Sequence, residues 1–213
     1  MLESFKTELL AEIERFEPNR VWTAADFAHL GHRDAIDKAL QRLVASGDLK
    51  RVARGLYQKL TLNGITNRPN PTTYTDVLEA LERRDGTPML IDGMTAANDL
   101  GLTTAVPAKI IVHTSSRRSE LDIEGQKIIF RNTAPSKLRW AGRPAMRLVQ
   151  ALQWVYDHQT ELDDDIVHRV RTAFGVFLDV EDVKEDLIKG FSALPSAWMQ
   201  DLLRPILFET KSI

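Results

Sequence analysis

The sequence predicts an α+β protein built in two parts, and three observations carry that expectation. Apolar positions in the first 45 residues recur at helical spacing, and a basic strand-turn-strand pattern follows directly. Beyond a proline-containing stretch, short β-rich runs alternate with helical ones and give way to a helical tail. A chain of 213 residues can bury an adequate core as one large domain or as a small one joined to a medium one. Its hydrophobic content of 43% and charged content of 27% exclude the disordered and fibrous classes.

Phe5, Leu9, Ile13 and Phe16 form the apolar stripe of an opening helix that ends near Pro18. Val21 and Trp22 supply apolar anchors before Thr23. The Thr23 hydroxyl is placed to cap a short second helix through Phe27 and Leu30, with Asp26 in its first turn. Gly31-His32 breaks the chain. Ile36, Leu40, Leu43 and Val44 then define a third helix that Gly47 can stop in a left-handed conformation. Leu49 to Val52 and Leu56 to Leu60 read as two strands around Ala53-Arg54-Gly55. Helix, helix, turn, helix and hairpin is the order of a winged helix-turn-helix, expected over residues 1–66. Phe5, Trp22, Phe27, Leu40 and Leu43 are core positions in this reading, not base-stacking platforms.

Asn67-Arg68-Pro69-Asn70-Pro71 should be extended and exposed, which places a linker at 67–72. A mixed α/β domain is expected over 73–213. Its first helix is capped by Thr72 or Thr73, turns Tyr74, Val77, Leu78 and Leu81 inward, and ends near Gly86. Met89 to Ile91 and Lys109 to His113 read as strands, Thr95 to Leu100 as a helix closed by Gly101, and Asp122 to Phe130 as a hairpin. Pro144 suits the first turn of a helix carrying Leu148, Val149, Leu152, Trp154 and Val155. Helical patterns at 166–177 and 180–188 complete a mostly helical C-terminal part.

A net charge of −2 conceals an uneven distribution. Lysines and arginines crowd the stretch from Lys109 to Arg147, whereas acids dominate from Asp157 to Asp186. Within the first unit, Arg33, Lys38, Gln41 and Arg42 lie off the apolar stripe of the third helix. Arg33 and Gln41 are the expected base readers, because a bidentate arginine-guanine contact contributes about 1–3 kcal/mol of discrimination. Lys50, Arg51 and Arg54 suit phosphate or minor-groove contact on the hairpin, with Arg54 at its tip. Asp34 and Asp37 sit on the same helix, where they either accept from cytosine or, as is expected, pair with Lys38 and Gln41 one helical turn away. Farther on, Arg117, Arg118 and Arg131 either extend a DNA footprint or form a solvated surface.

Asp48-Leu49-Lys50-Arg51-Val52 and Gly55-Leu56-Tyr57, followed by Thr95-Ala96-Ala97, Leu100-Gly101-Leu102 and a basic β-region, resemble the AbiEi-type antitoxins. That resemblance covers most of the chain. It implies a repressor of its own operon, acting on promoter inverted repeats in double-stranded DNA within an abortive-infection, type IV toxin-antitoxin system. It also implies antagonism of a co-encoded nucleotidyltransferase-like toxin without need of a stable complex.

Other chemistries find little in the residues. The five histidines lack metal-binding helical spacing and cysteine is absent, so no metal or cofactor is expected. Gly93, Gly101 and Gly125 are isolated and form no phosphate-cradling loop. Thr114 to Ser116 beside Arg117-Arg118 has no base to activate a hydroxyl, and the protein is not expected to be an enzyme. Two alternatives stay open: a DNA-processing enzyme using Asp122, Glu124 and Lys127, and a winged helix that recruits a protein partner. Neither a signal peptide nor a membrane span is visible, and the cytoplasm is the expected compartment.

Overall fold

The computed structural model describes residues 2–16, 19–158, 168, 170, 172 and 181–208. It is an α+β structure with two sheets. Contacts divide the chain into one unit of residues 1–87 with 119–128, and a second of 88–118 with 129–213.

The first unit begins with α1 (Leu2–Ile13) and β1 (Val21–Trp22), followed by a 3-10 turn at Ala24–Phe27. Next come α2 (Arg33–Ala45), β2 (Leu49–Ala53), β3 (Leu56–Lys59) and α3 (Tyr74–Asp85). The strands form an antiparallel sheet in the order β1-β3-β2. Leu9, Ile13, Trp22, Phe27, Ile36, Leu40, Leu43, Leu49 and Tyr57 share one buried cluster, with Phe5 packed against it. The helical stripes and the inward residues of the sheet thus meet, and their removal from water drives the association of the elements.

Three local expectations are corrected. Thr23 does not cap its helix with an accepting hydroxyl; its N–H and Oγ1 both donate to the Asp26 carboxylate, at 2.7 and 2.9 Å. An acid at the third helical position binds the preceding backbone better than a hydroxyl, because it is a charged acceptor. Phe16, expected on the apolar stripe of the opening helix, lies beyond the end of α1 at Ile13 and is half exposed, set edge-on to Trp22 at 5.1 Å with the Arg20 guanidinium 4.6 Å over its ring. The 67–72 stretch is also no free linker. Thr72 is buried and its Oγ1 donates to Gln58 Oε1 at 2.8 Å, while Asn70 N–H donates to Thr61 O at 2.9 Å.

The compact unit therefore runs on through α3. Thr73 caps α3 by accepting from Asp76 N–H, and Gly86 closes it at φ +60. From the last turn of α3, Arg83 donates to Val21 O at 2.6 Å and to Asp26 Oδ1 at 3.2 Å.

The second unit contains β4 (Met89–Ile91), α4 (Gly93–Asp99), β5 (Lys109–Thr114), α5 (Met146–His158), α6 (Glu181–Gly190) and α7 (Ala197–Phe208). A hairpin of β6 (Leu121–Ile123) and β7 (Gln126–Asn132), whose residues 121–128 are counted with the first unit, completes a four-stranded sheet of order β4-β5-β7-β6. Ile123 pairs with Gln126 across Glu124-Gly125, both at positive φ, which is the two-residue turn that matches strand twist. Helix α5 starts at Met146, two residues beyond Pro144, and buries Leu148, Val149, Leu152 and Val155. The helical pattern at 166–177 lies outside the described residues except at 168, 170 and 172.

Candidate nucleic-acid interface

Helix α2 buries Ile36, Ala39, Leu40 and Leu43 along one stripe. At about 100° per residue, Asp34 and Gln41 fall opposite that stripe, flanked by Lys38 and Arg42 on one side and Arg33 and Asp37 on the other. Arg33, Lys38, Gln41 and Arg42 are all exposed. The helix end is fixed by a Schellman pair, Asp48 N–H to Leu43 O at 2.9 Å and Gly47 N–H to Val44 O at 3.1 Å, with Gly47 at φ +79. Lys6 reaches the same end, 3.0 Å from Ser46 Oγ and 3.3 Å from Asp48. Hydrogen bonds from Ser46 and Lys6 hold the Asp48 carboxyl below its usual range.

Asp37 pairs differently from the expectation. Its carboxylate accepts from Arg33 Nε at 2.8 Å, one helical turn earlier, rather than from Gln41. Arg33 thus occupies the first residue of the helix with one edge of its guanidinium engaged and most of the side chain in solvent. An exposed pair of this kind contributes little to stability and costs little to open.

The hairpin places Arg54 with Gly55, φ +75, in a two-residue turn between Ala53 and Leu56. The register shifts between Arg51 and Ala53, a bulge that adds twist just before the tip. Arg51 and Arg54 are exposed. Lys50 is not available in the same way. Its Nζ donates to Glu124 Oε1 at 2.8 Å and to Asn70 O at 3.2 Å, and only 19% of its side chain is exposed. Glu124 is correspondingly held below its usual range, chiefly by the Lys50 hydrogen bond. Lys50 is therefore a tether for the Glu124 turn, which sequence reasoning missed because 74 residues separate the partners.

Arg117, Arg118 and Arg131 belong to the second unit. Arg117 is exposed, Arg118 lies 5.8 Å over the Phe130 ring, and Arg131 is exposed beside His113 in a cleft. Two other cations of the basic stretch are consumed internally. Arg143 makes a two-nitrogen contact with Asp186 Oδ1 at 2.8 and 3.0 Å, and Arg147 lies 3.2 Å from Asp99. Part of the acidic tail thus neutralises part of the basic middle within the chain. On the β6–β7 hairpin, Asp122 Oδ1 accepts from Gly125 N–H at 2.9 Å and Glu124 is held by Lys50. Among the described residues no three His, Asp or Glu side chains gather as a metal site, and no helix is long and apolar enough to cross a membrane.

A family of unknown function (DUF6088) matches residues 9–174. No curated protein matches the sequence. Among solved structures, the crystal structure of RV2827C protein from Mycobacterium tuberculosis is similar, at 14% identity and a TM-score of 0.45, over 96% of this chain and 80% of that one. The family match spans well over half of the chain, so the chain belongs to this family of unknown function, DUF6088.

Proposed function

We propose that the first unit is a winged helix-turn-helix that binds double-stranded DNA, with α2 in the major groove and the β2–β3 tip on the backbone or minor groove. One observation carries this reading: α2 and the hairpin tip together present Arg33, Lys38, Gln41, Arg42, Arg51 and Arg54 to solvent, while their opposite faces are sealed into one core. Exposed cations on a rigid helix and a tight turn are what phosphate contact needs, and Arg33 and Gln41 carry the donors that read base edges. Lys50 leaves the contact set because Glu124 and Asn70 O occupy its ammonium.

The sequence resemblance extends this reading to an AbiEi-type antitoxin. Such a protein represses its own operon at inverted repeats and antagonises a co-encoded nucleotidyltransferase-like toxin. Asp34 and Asp37 support a second reading, a winged helix that recruits a protein, since two carboxylates on the exposed face oppose phosphate. The Arg33–Asp37 pair cancels one of them at the surface and favours the DNA reading.

A mobility-shift titration against the protein's own upstream DNA and a scrambled duplex, at low and near-physiological salt, tests the proposal. Selective binding that survives salt is expected. Equal, salt-labile binding to both duplexes would reduce the claim to nonspecific electrostatics, and absence of binding would leave the recruitment reading.

A further inference from the structure

The start of α2 holds a contact that helix stability does not explain. Arg33 is the first residue of the helix and donates through Nε to Asp37 Oδ2 at 2.8 Å, one turn further in. A cation at the N-terminus followed by an acid runs against the helix macrodipole, and the reverse order of the two charges makes the stronger surface pair. Asp34 is accounted for otherwise, because an acid in the first turn suits the dipole. No such gain covers Arg33. Its side chain is 68% exposed, so it does not serve the core either.

The contact holds the guanidinium in one orientation. It uses Nε and leaves the two Nη groups for another acceptor. Those groups carry donors at the end of a planar fork, the pattern that meets O6 and N7 of a guanine. In the free protein the pair contributes little to stability. Inside a major groove water leaves it, and a charge-assisted hydrogen bond gains strength as its surroundings dry. An arginine held by nothing would lose its rotamer freedom on binding and would reach phosphates as readily as a base edge. The Asp37 carboxylate reduces that loss. It also repels phosphate, which leaves an uncharged base edge as the better acceptor for Arg33.

We propose that Asp37 is a positioning residue that commits Arg33 to a guanine, and that the DNA this protein selects carries a G·C pair opposite the start of α2. The proposal deepens the DNA-binding reading of the first unit and rests on it. Charge alone predicts something different: removing a carboxylate from a phosphate-facing surface would tighten binding to every duplex equally. Mobility-shift titrations of the native full chain, Arg33→Ala and Asp37→Ala separate the two, since alanine keeps an exposed helix position helical. The probes are the protein's own upstream duplex, a set in which each of its G·C pairs is changed in turn to A·T, and a scrambled duplex. The native chain is expected to lose about tenfold in affinity at one G·C pair, and Arg33→Ala to be indifferent there. Asp37→Ala is expected to bind the scrambled duplex more tightly while its loss at that pair shrinks to about twofold or less. If Asp37→Ala keeps the full discrimination, or if no G·C change depends on Arg33, the proposal falls while the DNA reading stands. Failure of the native chain to bind any duplex removes the DNA reading itself, and the proposal with it.

Discussion

Arg33 and Arg54 occupy different kinds of position, and their substitutions should separate base reading from phosphate holding. Arg33→Ala at the start of α2 is expected to relax sequence preference by about 1–3 kcal/mol at one base pair. Arg54→Ala at the hairpin tip is expected to weaken binding to every duplex and to flatten the salt dependence by about one unit of slope. Mobility shifts on matched and scrambled duplexes check both; unchanged binding in the two variants would displace DNA from this face. His113 supplies a pH prediction. Burial first, then Arg131, lowers its pKa in the folded state. The unfolded chain therefore takes up a proton from about pH 6.5 downward while the folded chain does not. The stability contributed by neutral His113 is present above that pH and is lost as pH falls through the folded value. Thermal melts across this window should fall more steeply for the native chain than for His113→Gln; parallel curves would remove His113 as the cause.

At the scale of elements, glycine does two distinct jobs that look alike in sequence. Gly47, Gly55 and Gly86 end helices or turn a hairpin at positive φ, and turn chemistry makes each of them readable. Gly93 is different, since its role is the close contact of α4 with α5. Gly93→Ala should destabilise the second unit by about 1–3 kcal/mol through overpacking, whereas Gly64→Ala, which meets open space, should change little. Denaturant melts of the two variants decide this, and equal stabilities would refute the packing argument. The element pattern was legible where periodicity and caps agreed, as in α2, α3 and the two hairpins. It misled at Thr23, because an i to i+3 sequence does not say whether the hydroxyl or the acid closes the turn.

At the scale of the whole molecule, the boundary of the first unit is set by buried polar pairing. Thr72→Val is expected to destabilise the full chain by about 1–3 kcal/mol, because Gln58 Oε1 would lose its donor in a buried setting. If 67–72 were only a solvated connector, chemical denaturation would show no change. Local sequence encodes the α+β class, the helices α2, α3 and α5, the two hairpins, the apolar stripes of α2 and α3, and the exposed cations of α2 and the hairpin tip. All of these depend on neighbours within a few residues, through helical period, strand alternation and turn chemistry. Local sequence does not reveal β1, whose residues read only as apolar anchors, or α7. Folding in three dimensions settles that Lys50 serves Glu124, that Arg83 joins α3 to Asp26 and Val21, and that Asp186 takes up Arg143. Those facts depend on which side chains meet after tens of residues of intervening chain, and no local period encodes the partner of a charge.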